Sequence, residues 1–141
     1  MLGRILTSLL PTITARAHCD LPCGVYHPMQ ARIEAESVKA IIAKYQSSDD
    51  EVFRQRAVLI KEQRAELVKH HLWVLWTDYF KPEHVEQYPQ IHDLFWKATK
   101  LAGAGGAKGG MDPDVAQQLL DKIEEISEIF WATSPTEAMW H

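Results

Sequence analysis

Apolar residues recur at three- and four-residue intervals along most of this chain, and no stretch alternates apolar with polar residues as a strand would. Ala31, Val38, Ile41, Ile42 and Tyr45 mark one stripe, and Pro28 fits the first turn of a helix running to about Gln46. Ser47, Ser48, Asp49 and Asp50 form a break rich in capping residue types. A longer helical pattern follows from about Glu51 to Phe80, and Pro82 closes it. A third helix is expected from Pro82 and Glu83 through Val85, Tyr88, Ile91, Leu94, Phe95 and Ala98, with a kink at Pro89. Gly103 to Gly110 reads as a flexible linker, because no strand precedes it and no Gly-Lys-Ser/Thr follows, as a phosphate-binding loop needs. Asp112 and Pro113 then open a fourth helix whose core stripe is Val115, Leu119, Ile123, Ile126 and Phe130. Four amphipathic helices with short connections predict an all-α, up-down four-helix bundle spanning about residues 28 to 133, with a tail from Ser134 to His141.

At 141 residues and 46% hydrophobic content the chain suits one compact domain. Its formal net charge of −4 supplies no basic surface, which argues against nucleic acid and against an anionic membrane as partners. Residues 1 to 17 differ from all that follows: Arg4 and Arg16 are their only charges, and acidic residues are absent. This segment reads as a leader to be removed, leaving a mature domain of residues 18 to 141 that is more acidic than the whole. Its basic start and its Ala15-Arg16-Ala17 ending are similar to a secretory signal, and an acid-free leader also suits an organelle. Pro11 interrupts the apolar run and seventeen residues are short for a signal peptide, which weighs against export; the cytoplasm is the expected location on the family resemblance set out below.

The two cysteines, Cys19 and Cys23, fall in one short irregular segment beside His18, directly after the leader. A lone pair at this spacing is read first as a small disulfide or two inert thiols. Two soft thiolates with an adjacent imidazole also make a transition-metal site, one donor short of a closed tetrahedral zinc site. If cleavage frees the His18 amine, that amine and the Cys19 amide nitrogen stand one five-membered chelate ring apart, and the Cys19 thiolate closes the next ring. A turn at Leu21-Pro22 that folds Cys23 back would give two nitrogens and two sulfurs in a plane, which suits nickel(II) or copper(II) better than zinc. The His18 imidazole is then available as an axial ligand.

The segment HCDLPCGVY, His18 to Tyr26, followed by RIEAE from Arg32, resembles the nickel hook of nickel-containing superoxide dismutases. The resemblance extends through KEQRAEL (Lys61 to Leu67), the Lys69-His70-His71 run, LWTDYFKP (Leu75 to Pro82) and Ile129-Phe130-Trp131. It implies a homohexamer of four-helix subunits, each holding one nickel that cycles between Ni(II) and Ni(III) while superoxide becomes oxygen and hydrogen peroxide. It also implies removal of the leader by a dedicated peptidase, a cis bond before Pro22, and ligation by His18, Cys19 and Cys23. Asp20 and Tyr26 flank the hook as candidate gatekeepers of the metal, with Tyr26 preferred over the neighbouring Tyr79 and Lys81. Without catalysis the same ligands would serve a nickel or copper storage or delivery protein; without metal, an exported bundle with a Cys19–Cys23 disulfide remains.

Glu34 and Arg64 each interrupt an apolar stripe, the first among Ala31, Val38 and Ile41, the second among Ala57, Ile60 and Leu67. Both are therefore expected to face inward and to need partners, with an interhelical ion pair as the simplest outcome. The resemblance assigns both to orienting the His18 imidazole. His70, His71, His84 and His92 are expected to be structural, and Trp73, Trp76, Trp96 and Trp131 to anchor the core or subunit contacts. The chain departs from the resembled family at His27, where aspartate is usual, and in the length of its tail.

Overall fold

The computed structural model describes residues 23 to 134, and these are helical with no strand among them. Helix α1 runs Met29–Gln46, α2 Glu51–Val74, α3 Pro82–Gln87, α4 Ile91–Ala102 and α5 Pro113–Thr133. The long helices α1, α2, α4 and α5 pack in a ring, α1 on α2 and α5, and α4 on α2 and α5, which is the predicted four-helix bundle. Among the described residues no helix is long and apolar enough to cross a membrane.

Local chemistry sets the ends. The Asp50 carboxylate accepts the Val52 and Phe53 amides at 3.0 and 3.2 Å and opens α2. Asp112 does the same for α5 by accepting the Asp114 amide at 2.8 Å, with Pro113 at the first helical position. The predicted kink at Pro89 is a complete break: α3 ends at Gln87 and α4 restarts at Ile91. The predicted single helix from Glu51 to Phe80 also changes character near its end. Leu75–Tyr79 is a π-helical turn, closed by the Phe80 amide on the Leu75 carbonyl at 3.0 Å. That wider turn re-aims Tyr79 and Phe80 relative to a continued α-helix.

The core is built from Ile42, Leu72, Ile91, Leu119, Ile123, Ile126 and Phe130, all essentially without solvent contact. Each such side chain contributes about 1.5–3 kcal/mol by leaving water. Two stripes differ from those read off the sequence. In α2 the inward positions are Ala57, Lys61, Ala65, Val68 and Leu72, one position along from the predicted Ala57, Ile60, Arg64 and Leu67. In α5 Ala116 is buried while Val115 is only partly so. None of the four tryptophans among the described residues is fully buried: Trp76 and Trp131 pack against the core, whereas Trp73 and Trp96 are exposed.

The glycine-rich stretch is not a loose linker. Lys61, 1% exposed, donates to the Ala107 carbonyl and to Glu62 Oε1, both at 2.6 Å. Glu62 in turn accepts the Gly109 amide at 2.6 Å, and Lys108 bonds Glu66 at 2.7 Å. The loop also wraps the end of α4 tightly: the Ala107 amide reaches the Leu101 carbonyl at 2.7 Å, and a Cβ on Gly106 would stand 2.1 Å from that oxygen. Glycine is required there by contact, not by mobility.

Replacing Lys61 with methionine leaves the buried Ala107 carbonyl without its donor and leaves Glu62 with only the Gly109 amide, and should cost about 3 kcal/mol in denaturant unfolding. The same cluster carries a pH signature. Burial pushes the Glu62 carboxyl up, but its bonds from Lys61 and Gly109 and the charges of Lys61 and Lys108 outweigh that and hold it below the usual range. The Lys108 bond, assisted by Lys69, does the same for Glu66 against burial. Folded values below unfolded ones mean stability that is complete above about pH 4.5 and lost as pH falls through the lowered values. Thermal melts from pH 6 to 3 should show this loss, and Lys61→Met should flatten it.

Candidate metal centre

Residues 23 to 28 lead into α1 without regular structure. Gly24 adopts φ +73, a left-handed conformation that turns the chain directly after Cys23 and that other residues disfavour. The turn brings the Val25 amide to 3.4 Å from Cys23 Sγ, and Sγ lies 3.7 Å from the Val25 carbonyl. Cys23 itself is exposed, so the sulfur is available from solvent.

Tyr26 lies three residues on and is buried at 9% exposure. Its ring meets that of Tyr79 edge-on, with centroids 6.0 Å apart. Tyr79 is held in turn: its hydroxyl lies 2.9 Å from Thr133 Oγ1 and 3.3 Å from the Phe130 carbonyl, and its ring lies 4.3 Å from that of Phe130. It also stacks on His84 at 5.6 Å, and His84 Nδ1 accepts the Lys81 amide at 3.2 Å. Tyr79 is thus a brace between Tyr26 and the end of α5, a role that the π-helical turn makes available. Lys81 is exposed at the start of α3.

Glu34 and Arg64 are paired, as expected: Arg64 Nη1 lies 3.0 and 3.3 Å from the two Glu34 carboxylate oxygens. The pair is not dry. The Arg64 side chain is 39% exposed, because the inward register of α2 passes through Lys61 and Ala65 instead. Glu34, at 15%, is the more enclosed member. The buried charge on this helix is Lys61, which stripe reading missed because it neighbours Glu62 in a polar run; its signal was a lysine at the spacing of Ala57 and Ala65.

His18, Cys19 and Asp20, the Leu21-Pro22 bond and residues 135 to 141 lie outside the described residues. Among the described residues no group of three histidine, cysteine or acidic side chains could hold a metal. Cys23 alone supplies one soft donor of the kind nickel and copper favour, on an accessible turn. That fits a site completed from the preceding residues. Of the histidines expected to be structural, His92 lies edge-on to Trp76 and His70 lies beside His71, in keeping with packing roles.

The chain matches the model of nickel-containing superoxide dismutase over residues 13–134. It is 56% identical over 133 residues to superoxide dismutase [Ni] of Streptomyces coelicolor, covering 94% of this chain and 98% of that protein. Superoxide dismutase [Ni] of Streptomyces seoulensis matches to the same extent. Among solved structures, a native nickel superoxide dismutase shares 59% identity with a TM-score of 0.78, covering 82% of this chain and 97% of that one. A nickel superoxide dismutase with ligation corresponding to the oxidised state gives 60% identity, the same TM-score and the same coverage.

Because Arg64 is partly solvated, Glu34→Ala and Arg64→Ala should each cost only about 1 kcal/mol in chemical unfolding, well short of what a dry pair would lose. Tyr79→Phe, which removes the hydroxyl from Thr133 and Phe130, should cost a similar amount, about 1 kcal/mol.

Proposed function

The chain belongs to the nickel-containing superoxide dismutase family, and from that premise we propose that residues 18 to 23 form its nickel site after removal of residues 1 to 17. The activity is the dismutation of superoxide: one superoxide gives up an electron and leaves as oxygen, and a second takes that electron with two protons and leaves as hydrogen peroxide. Nickel is the cofactor and, when bound, supplies one-electron chemistry by moving between Ni(II) and Ni(III).

In this proposal His18 offers its amine and imidazole, Cys19 its amide and thiolate, and Cys23 its thiolate, one nickel per chain. The observation that carries the reading is Cys23 itself: an exposed sulfur on a glycine turn, with the Val25 amide directed at it, at the edge of the helical bundle. Tyr26, buried and braced by Tyr79, limits approach from the bundle side, and Asp20 does so from within the hook. The Glu34–Arg64 pair would hold the His18 imidazole in one orientation and one tautomer.

Support for the leader comes from coverage. Curated relatives align with 94% of this chain, whereas the solved chains, themselves 97% covered, align with 82% of it. Those solved chains are shorter by about the length of a leader. A dedicated peptidase removes the leader in the cytoplasm, in keeping with Pro11 interrupting the apolar run. The subunits assemble as a homohexamer through the apolar side chains left outside, among them Leu59 at 61%, Ile33 at 57% and Trp96 at 57% exposure.

The test is to prepare the full chain, a chain beginning at His18 and one with an added alanine before His18, and to measure nickel content and superoxide consumption in each. Only the chain beginning at His18 should hold about one nickel and be active, because an acylated His18 nitrogen is an amide that binds only after losing a proton. Full activity with residues 1 to 17 still attached would refute the amine ligand. In the processed chain, Glu34→Ala and Arg64→Ala should retain nickel while turnover falls; unchanged turnover in both would remove them from the site.

A further inference from the structure

We infer that His27 is a positioning residue for the metal-binding segment, fixing through its imidazole the direction in which residues 23 to 26 leave the bundle. The inference rests on the site proposed above and concerns how that site is held.

Helix α1 has an unusual entrance. Pro28 precedes it in the right-handed helical conformation (φ −69, ψ −17) and supplies no side-chain cap. The Pro28 carbonyl takes the Arg32 amide at 3.3 Å, but the amides of the first turn need acceptors from outside the helix. His27 provides one: its Nδ1 accepts the Met29 amide at 3.0 Å. An imidazole accepting at Nδ1 is neutral and carries its proton on Nε2. Burial favours that state by lowering the His27 pKa, and the positive end of the α1 dipole favours it too.

The other side of the ring is also held. It stands edge-on to Trp131, with centroids 5.0 Å apart and planes at 76°. Trp131 meets Phe130 edge-on at 5.0 Å, and Phe130 lies 4.3 Å from Tyr79, whose ring meets Tyr26. Two consecutive residues, Tyr26 and His27, are therefore tied to the last turns of α5 by separate routes that converge on Phe130. A small cavity of about 120 Å³ lies beside His27, lined also by Arg32, Glu124, Ser127 and Glu128. With the peptide between Tyr26 and His27 pinned from both sides, the path back to Cys23 is three residues of turn, and the sulfur inherits its position from the imidazole.

The two ties separate by substitution. Asparagine keeps a short acceptor for the Met29 amide and gives up the ring contact with Trp131; phenylalanine keeps the ring and gives up the acceptor. In the processed, nickel-loaded protein, hydrogen exchange at Met29 should accelerate about fivefold to tenfold in His27→Phe, the worth of a lost cap, and stay within about twofold of the parent in His27→Asn. Nickel release to a chelator should follow the same order. A His27→Phe protein with parental exchange and parental release would overturn the inference, as would an asparagine variant as impaired as the phenylalanine one. Parental protein that takes up no nickel after processing would overturn the site reading instead, and this inference with it.

Discussion

The ring of Phe130 joins the helical bundle to the irregular segment that carries Cys23. It is 1% exposed, sits in the last turns of α5, and touches both Tyr79 and Trp131. Through them it holds Tyr26 and His27, which stand immediately before α1. Its carbonyl also lies within hydrogen-bond reach of the Tyr79 hydroxyl, so position 130 contributes an apolar face and a polar anchor at once. Aromatic pairs at these separations are worth about 0.5–1.5 kcal/mol each beyond their burial, which is enough to fix a short segment that has no regular structure of its own.

A second constraint governs the opposite side of the molecule. Lys61 is buried, which is tolerable only because the Ala107 carbonyl and Glu62 meet its ammonium. Glu62 passes the constraint on to Gly109, and Lys108 closes it on Glu66. One buried cation thus shapes the connection between α4 and α5, and that connection sets the start of the helix that carries Phe130. The chemistry at one edge of the bundle and the ion cluster elsewhere in it are linked by the placement of α5.

Much of this was legible in the sequence because helices announce themselves by period and punctuation. Asp50, Asp112 and Pro113 mark real helix starts, and Leu119, Ile123, Ile126 and Phe130 are a real core stripe. The family was legible for a different reason: a histidine and two cysteines within six residues, directly ahead of the first helix, form a pattern with few other uses. What the sequence hid was rotation. Periods of three and four fit α2 equally well with Arg64 or Lys61 inward, and apolar neighbours such as Ile60 and Leu67 favoured the wrong choice. The spacing of Lys61 with Ala57 and Ala65 was its one sign, and only the Ala107 carbonyl and Glu62 show how the burial is tolerated. The π-helical turn left no trace either, because its single extra residue looks like ordinary helix. The glycines read as looseness for the same reason: composition reports freedom in the unfolded chain, whereas Gly106 is pressed against Leu101.

The convergence on Phe130 also bears on the order in which the molecule is made. Contacts between α1 and α2 are close in sequence and form early, but Arg32 reaches Glu124 across 92 positions, and the ties of Tyr26 and His27 to α5 span a comparable distance. Contacts that close such long loops come late in folding. A nascent chain still lacking α5 has its cysteine segment synthesised and nothing to hold it. The direction in which residues 23 to 26 leave the bundle is therefore set only once α5 has packed, so the last of the described helices to be synthesised decides how the first described residues are held.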